Sequence, residues 1–219
     1  MTANEHINPE CPYVKPSDTI DKTIGLMEEF KLTHLAVVYK DQFLGITEEK
    51  NLVNAVDYST PISQLELSHK NIYIGSHQHI YDALNLAAQH KISIVPVLNN
   101  ESYIGSIDIY EMLNIFSDFS TFQSEGGIIV LSLKQNDYSL STIARITEES
   151  GLKILSSQVL QNSADPTYIE LTLKLSSTDL TRLVASFERY DYQIIGTFQE
   201  TIQDDIQDRL DNFFKYLNM

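Results

Sequence analysis

The sequence predicts a mixed α/β (α+β) protein: a duplicated β-α-β-β-α unit, then a βαββαβ unit of ferredoxin-like order. Three observations carry this. The first half repeats itself at a spacing of 60 residues; its short apolar strand segments alternate with amphipathic helices; and the pattern changes after "SDFSTFQSEGG".

Comparing position i with i+60 pairs Tyr13 with Tyr73, Ile20 with Ile80, Leu35 with Val95, Val37 with Val97, Gly45 with Gly105 and Leu52 with Met112. A long period used only twice describes a pseudo-twofold pair rather than a solenoid. Each unit opens with a short extended piece (Tyr13–Val14; Tyr73–Ile74) and a polar stretch, "KPSDT" or "GSHQH". A helix follows, with apolar positions 20, 24, 27 and 30, or 80, 84, 87 and 88. The strands "HLAVVY" and "IVPVL" are almost continuously apolar, as for strands covered on both faces. Turns at Asp41 and Asn100 lead to "FLGI" and "YIGSI", and a second helix begins near Glu48 or Asp108.

Beyond a Ser/Gly-rich linker at 119–126, "IIVLSLK" reads as a buried strand and "STIARITEES" as a helix started by Ser139 or Ser141, with Gly151 at its end. "LKILSSQVL" and "TYIELTLKL" are strands, the latter turning Ile169, Leu171, Leu173 and Leu175 to one face. "SSTDLTRLVASFERYD" supplies a helix capped by Ser177 or Thr178, with Leu180, Leu183, Val184 and Phe187 inward, and "YQIIGTF" is the last strand. Residues 199–219 carry Ile202, Ile206, Leu210, Phe213 and Leu217 on one helical stripe, which packs on its own domain or on a partner chain.

The ordered set of helix, H-L-x-V-V or x-V-P-V-L, turn, aliphatic-Gly-aliphatic and short helix occurs twice, at about 10–60 and 70–118. It resembles a tandem pair of CBS domains spanning 10–118. The resemblance implies a flat module with two clefts that often bind adenosine-containing ligands, and a tendency to dimerise. In nucleotide-binding members a Thr or Ser follows the glycine and meets a phosphate; an Asp three residues later holds the ribose. This chain has Glu48 and Asn51 in the first repeat and Asp108 and Glu111 in the second. With Tyr73 and Ile74 these are the candidate adenosyl-binding residues. A carboxylate at the start of a helix satisfies the free N–H groups that would hold an anion, and it repels phosphate. At ~4 Å like charges cost roughly 1 kcal/mol in water and about 4 at an effective dielectric of 20. Glu111 and, more weakly, Asn51 can still accept ribose hydroxyls, which leaves a neutral or cationic adenosyl ligand open; the alternative is that both acids cap helices.

Residues 127–198, with "KQNDYSLSTIARITEESGLKILS" at the first β-α junction, resemble an ACT domain, a regulatory fold that dimerises edge to edge and binds amino acids at the interface. Members that bind amino acids often carry an acidic or Asn residue and then Pro-Gly at this junction. Asn136, Asp137, Tyr138 and Ser139 stand here, so a Cβ replaces the space a glycine gives, and these four are the candidate residues of this loop. A CBS pair followed by an ACT domain resembles the accessory regulatory proteins of acetoin utilisation.

Composition sets the remaining expectations. With 15 basic against 30 acidic residues the net charge is −15, which disfavours nucleic acid and anionic membrane surfaces as partners. No segment is apolar enough to span a membrane or act as a signal peptide, and Cys11 is the single cysteine, so the cytoplasm is the expected location. Cys11 falls in a polar segment between Pro9 and Pro12, His34 reads as a core histidine, and His69, His77 and His79 lack the companions of a metal site. No nucleotide-loop or nucleophile motif occurs, so no cofactor and no catalytic residue is predicted. The expectation is a non-catalytic regulatory protein, dimeric, responding to a small adenosyl or amino-acid-type metabolite. The alternative is a scaffold with degenerate ligand sites that contacts a protein partner.

Overall fold

Two β-α-β-β-α runs build the first unit, residues 1–116. The first comprises β1 (Tyr13–Val14), α1 (Ile20–Phe30), β2 (His34–Tyr39), β3 (Gln42–Glu48) and α2 (Glu49–Leu52); the second comprises β4 (Ile74–Gly75), α3 (Ile80–His90), β5 (Ile94–Asn99), β6 (Ser102–Asp108) and α4 (Ile109–Ser117). The computed structural model describes residues 1–119 and 123–199. The helix predicted over 199–219 therefore lies, from 200 onward, outside the described residues, as does the centre of the predicted linker.

The same local devices recur at the i+60 spacing. Thr19 caps α1 by accepting from Lys22 N–H, and His79 caps α3 by accepting from Tyr81 N–H. Both helices end in a left-handed lysine, Lys31 and Lys91, whose N–H returns to Met27 O or Ala87 O. Lys40 and Asp41, both at positive φ, form the tight turn between β2 and β3, matching the right-handed twist of the strands. Strands run in the order β1-β2-β3-β6-β5-β4. Within the sheet the halves pair at their hairpin tips, through Gln42 opposite Ser102 and Tyr103 N–H donating to Asp41 O at 2.7 Å. Crossed ring pairs repeat the symmetry: Tyr13 sits edge-on to Tyr103 at 5.7 Å, and Phe43 to Tyr73 at 6.2 Å.

Leu35, Ala36 and Val37 of β2, like Ile94, Val95 and Val97 of β5, are fully buried, as the unbroken apolar runs require. Gly45 and Gly105 lie at φ +149° and +148° beside a strand bulge. A chain segment crosses each: Leu67 and Ser68 over Gly45, Ile7 over Gly105, where a Cβ would come 2.3 Å from Ile7 Cγ2. Residues 1–12 thus lie along the second repeat as 61–72 lie along the first. Asn8 N–H donates to Ser106 O at 3.0 Å, while Ser68 and Ile46 exchange two backbone hydrogen bonds of 2.8 and 2.9 Å.

The second unit begins at Ser117. It contains β7 (Ile128–Lys134), α5 (Leu140–Glu149), β8 (Ile154–Gln161), β9 (Tyr168–Leu175), α6 (Thr181–Arg189) and β10 (Gln193–Phe198). All strand pairs are antiparallel in the order β10-β7-β9-β8, the ferredoxin-like arrangement expected from the element order. Alternating residues of β7 (Ile129, Leu131, Leu133) and β9 (Ile169, Leu171, Leu173) bury against Ile143 and Ile146 of α5 and Leu183 and Phe187 of α6. Ser139 caps α5 through Thr142 N–H. The cap expected for α6 at Ser177 or Thr178 is displaced: Ser177 Oγ accepts from Asp179 N–H, Asp179 Oδ1 from Thr181 N–H, and the helix starts after Leu180. Two successive side-chain turns win because Leu180, fully buried, must leave the turn pointing inward.

Candidate functional site

Three places collect the residues singled out in the sequence: the β3–α2 junction, the β6–α4 junction, and the end of the second sheet where β7 passes into α5.

At the β6–α4 junction Asp108 is 4% exposed. Its Oδ1 accepts the N–H groups of Tyr110 and Glu111, both at 2.9 Å, and its Oδ2 accepts Asn8 Nδ2 at 2.6 Å. The donors that would receive an anion at this helix start are therefore committed to the protein's own carboxylate. Glu111 faces His6 Nδ1 at 3.5 Å, with its carboxylate partly open to solvent. Tyr73 is exposed, but Ile74 is wholly buried opposite Val97 and offers no side chain to a ligand. Cys11 corrects its sequence reading: it is buried in the core, and burial first, then the Asp108 charge, pushes its thiol up to about 12. Such a thiol is an inert packing group.

At the β3–α2 junction Glu48 does not cap; the first helical amide, Glu49 N–H, donates to Thr33 O instead. Glu48 turns inward, 5% exposed, to the Lys50 ammonium, with His69 Nε2 at 3.6 Å and His34 Nε2 at 3.9 Å. Burial opposes its ionisation, but hydrogen bonds from Lys50 and Ser68 and the Lys50 charge outweigh that, and the carboxyl titrates below its ordinary value. His34 Nδ1 accepts Ser93 N–H at 3.2 Å, so its single proton sits on Nε2, toward Glu48. Burial holds this imidazole below its usual value despite Glu48. A histidine fixed in that tautomer has no free nitrogen for a metal. Asn51 is exposed on the short helix. His77 and His79 lie in the turn before α3, apart from His69, which contacts the His90 ring at 5.5 Å. Among the described residues no group of three or more His, Cys, Asp or Glu is arranged to hold a metal.

The third place is open. A pocket of about 440 Å³ is bounded by the end of β7, the start of β9 and the turn from α6 to β10. Asp137 lines it, whereas Asn136 stays in the preceding turn, Tyr138 packs on the core and Ser139 is spent as the cap of α5. Lys134, Tyr168, Tyr190, Asp191 and Tyr192 complete its polar and aromatic walls. Burial raises the Tyr192 phenol, opposed by Arg145 and reinforced by Asp137, so it remains a neutral donor. Sequence reasoning missed these residues because three segments far apart in the chain supply them. The available signal was "RYDYQ", whose Asp191 lies at positive φ and brings two tyrosines around a tight turn.

Two α/β repeats about a pseudo-dyad, each offering a strand-to-helix junction crossed by a neighbouring segment, define a paired tandem-repeat module. The family model of the CBS domain matches residues 3–58 and 62–118, more than half of the chain, and the chain belongs to the CBS domain family. No curated protein matches the sequence. Among solved structures, similarity is found to a CBS domain pair/ACT domain protein from Thermotoga maritima (18% identity, 53% of this chain and 96% of that one, TM-score 0.49). It extends to the CBS domains of a transcriptional regulator from Streptococcus pneumoniae (16%, 52% and 98%, TM-score 0.47). A provisionally assigned acetoin utilization protein from Vibrio cholerae is also similar (17%, 56% and 95%, TM-score 0.48). CBS domains are in general regulatory modules that bind adenosine-containing ligands. No described helix is long and apolar enough to cross a membrane.

Proposed function

We propose that this chain is a non-catalytic, cytoplasmic, homodimeric regulator that senses an amino-acid-type metabolite through an ACT-like domain at 127–198. The CBS pair at 10–118 responds to that ligand. The observation that carries this reading is the pocket at the end of β7, where Lys134 stands with Asp137 and Asp191 among three tyrosines. An ammonium matches an α-carboxylate, two carboxylates match an α-amino group, and phenol rings suit an apolar or aromatic side chain. A thermal-shift panel of amino acids, S-adenosylmethionine, AMP and ATP tests it. One class of amino acid is expected to stabilise the protein, by about 2.7 kcal/mol at 100 times its dissociation constant. D137N and D191N are each expected to weaken that response at least ~10-fold. AMP and ATP are expected to give none, and a panel without any amino-acid response ends the proposal.

A second reading, a scaffold with degenerate clefts that works by protein contact, draws on the β6–α4 junction, where Asp108 and Asn8 take the anion position. It predicts a stable dimer without any ligand and a co-purifying protein. S-adenosylmethionine binding that disappears in E111Q would instead assign Glu111 to a ribose.

A further inference from the structure

The chain holds four arginines, Arg145, Arg182, Arg189 and Arg209. Two of them, Arg182 and Arg189, line one groove between α5 and α6, and Arg145 stands at its edge. In a chain of net charge −15 this is a local inversion of sign, on the helical side of the second unit.

The groove encloses about 240 Å³. Arg182, Ser186 and Arg189 follow the i, i+4, i+7 spacing that puts side chains on one helical face, so the two arginines start ~10 Å apart along the axis. Each is held without being neutralised. Arg182 Nη2 donates to Glu149 O, a carbonyl at the end of α5, at 3.2 Å, and the Arg189 guanidinium lies 5.4 Å from the centre of the Tyr190 ring. Neither forms an ion pair among the described residues. The acid that lines the groove, Glu149, is engaged by Arg145 at 2.8 Å. Hydroxyl hydrogens are committed as well: Ser150 Oγ donates to Ile146 O and Ser186 Oγ to Arg182 O, both at 2.9 Å. What the groove still offers is two guanidinium forks beside the small side chains Ser150, Ala185 and Ser186, with Ile146, Tyr190 and the Arg145-paired Glu149 completing the lining.

We propose that this groove binds a small dianion, phosphate or dicarboxylate, between Arg182 and Arg189. Guanidinium forks match the paired oxygens of either group, and two cationic forks lining one groove favour a ligand carrying two negative charges over a simple monovalent ion. The site is separate from the amino-acid pocket, although Tyr190 lines both, so occupancy of one is open to change the other.

The test is calorimetric titration of the full chain with sodium phosphate and with succinate, against sodium chloride at matched ionic strength. Saturable binding of phosphate or succinate, absent with chloride, is expected. R182Q and R189Q should each weaken it at least ~10-fold, the double variant should remove it, and R189K should fall between because it keeps the charge and loses the fork. Succinate alone binding would assign a dicarboxylate; phosphate alone, a phosphate-bearing ligand. Circular dichroism should show all variants folded, since both arginines are exposed. Failure of both anions to bind, or binding that persists in the double variant, overturns the proposal. The amino-acid response of the double variant, measured in parallel, separates this outcome from failure of the amino-acid reading.

Discussion

Asp108 illustrates how one side chain changes what a helix start can hold. It answers two amides and one side-chain donor at once, so its removal strands three groups in a nearly closed site. D108A should lower the free energy of unfolding by about 2 kcal/mol, whereas D108N, which keeps a capping oxygen, should cost less than about 1, read from urea unfolding. Acidification should also weaken the first repeat. The buried His34 has a depressed folded value, so below its ordinary 6.5 the unfolded chain takes the proton first and stability is lost. Glu48, depressed below 4.5, contributes stability above that value and loses it as pH falls through its folded value. Unfolding midpoints should therefore fall as pH drops below the ordinary His value of 6.5 and fall again below the ordinary Glu value of 4.5, and H34N should flatten the first fall while leaving the second intact. A profile in H34N parallel to the parent would contradict this assignment. The residue identities were legible in the sequence; their different fates were not. Glu48 and Asp108 occupy the same position of the repeat, but Lys50 and two histidines surround one, while Asn8 and two helix-start amides surround the other.

Among the elements, those with strong periodicity were read most accurately. The strand at 128–134 and the inward face of β9 follow directly from alternation, because a strand covered on one side must place every second residue in the core. Cap positions fared worse: α6 starts later than its Ser and Thr propose, since the burial of Leu180 outweighs a local preference of about 1 kcal/mol. Phe187 is the largest fully buried side chain of α6, with its ring 5.4 Å from Tyr192, which lines the open pocket. F187A should cost about 3–5 kcal/mol in chemical denaturation. On the proposed amino-acid reading it should also weaken the ligand response, because the Tyr192 ring loses its edge contact; F187L, which keeps most of the volume, should recover most of the stability.

At the scale of the molecule, the repeat of 60 residues is the decisive feature. It is readable because both copies bury the same apolar register, and a shift of one residue would turn every strand inside out. The fold class, the paired CBS units and the ferredoxin-like order therefore follow from sequence alone. So do the acids three residues after each repeated glycine, Glu48 and Asp108. Tertiary structure decided which segments cross those glycines, that Cys11 and Ile74 are core residues, and that the second unit gathers Lys134, Asp137, Asp191 and three tyrosines into one pocket. The physical reason is range. Periodicity and turn chemistry act between neighbours along the chain, whereas a binding pocket is made by side chains that only the packing of distant segments brings together.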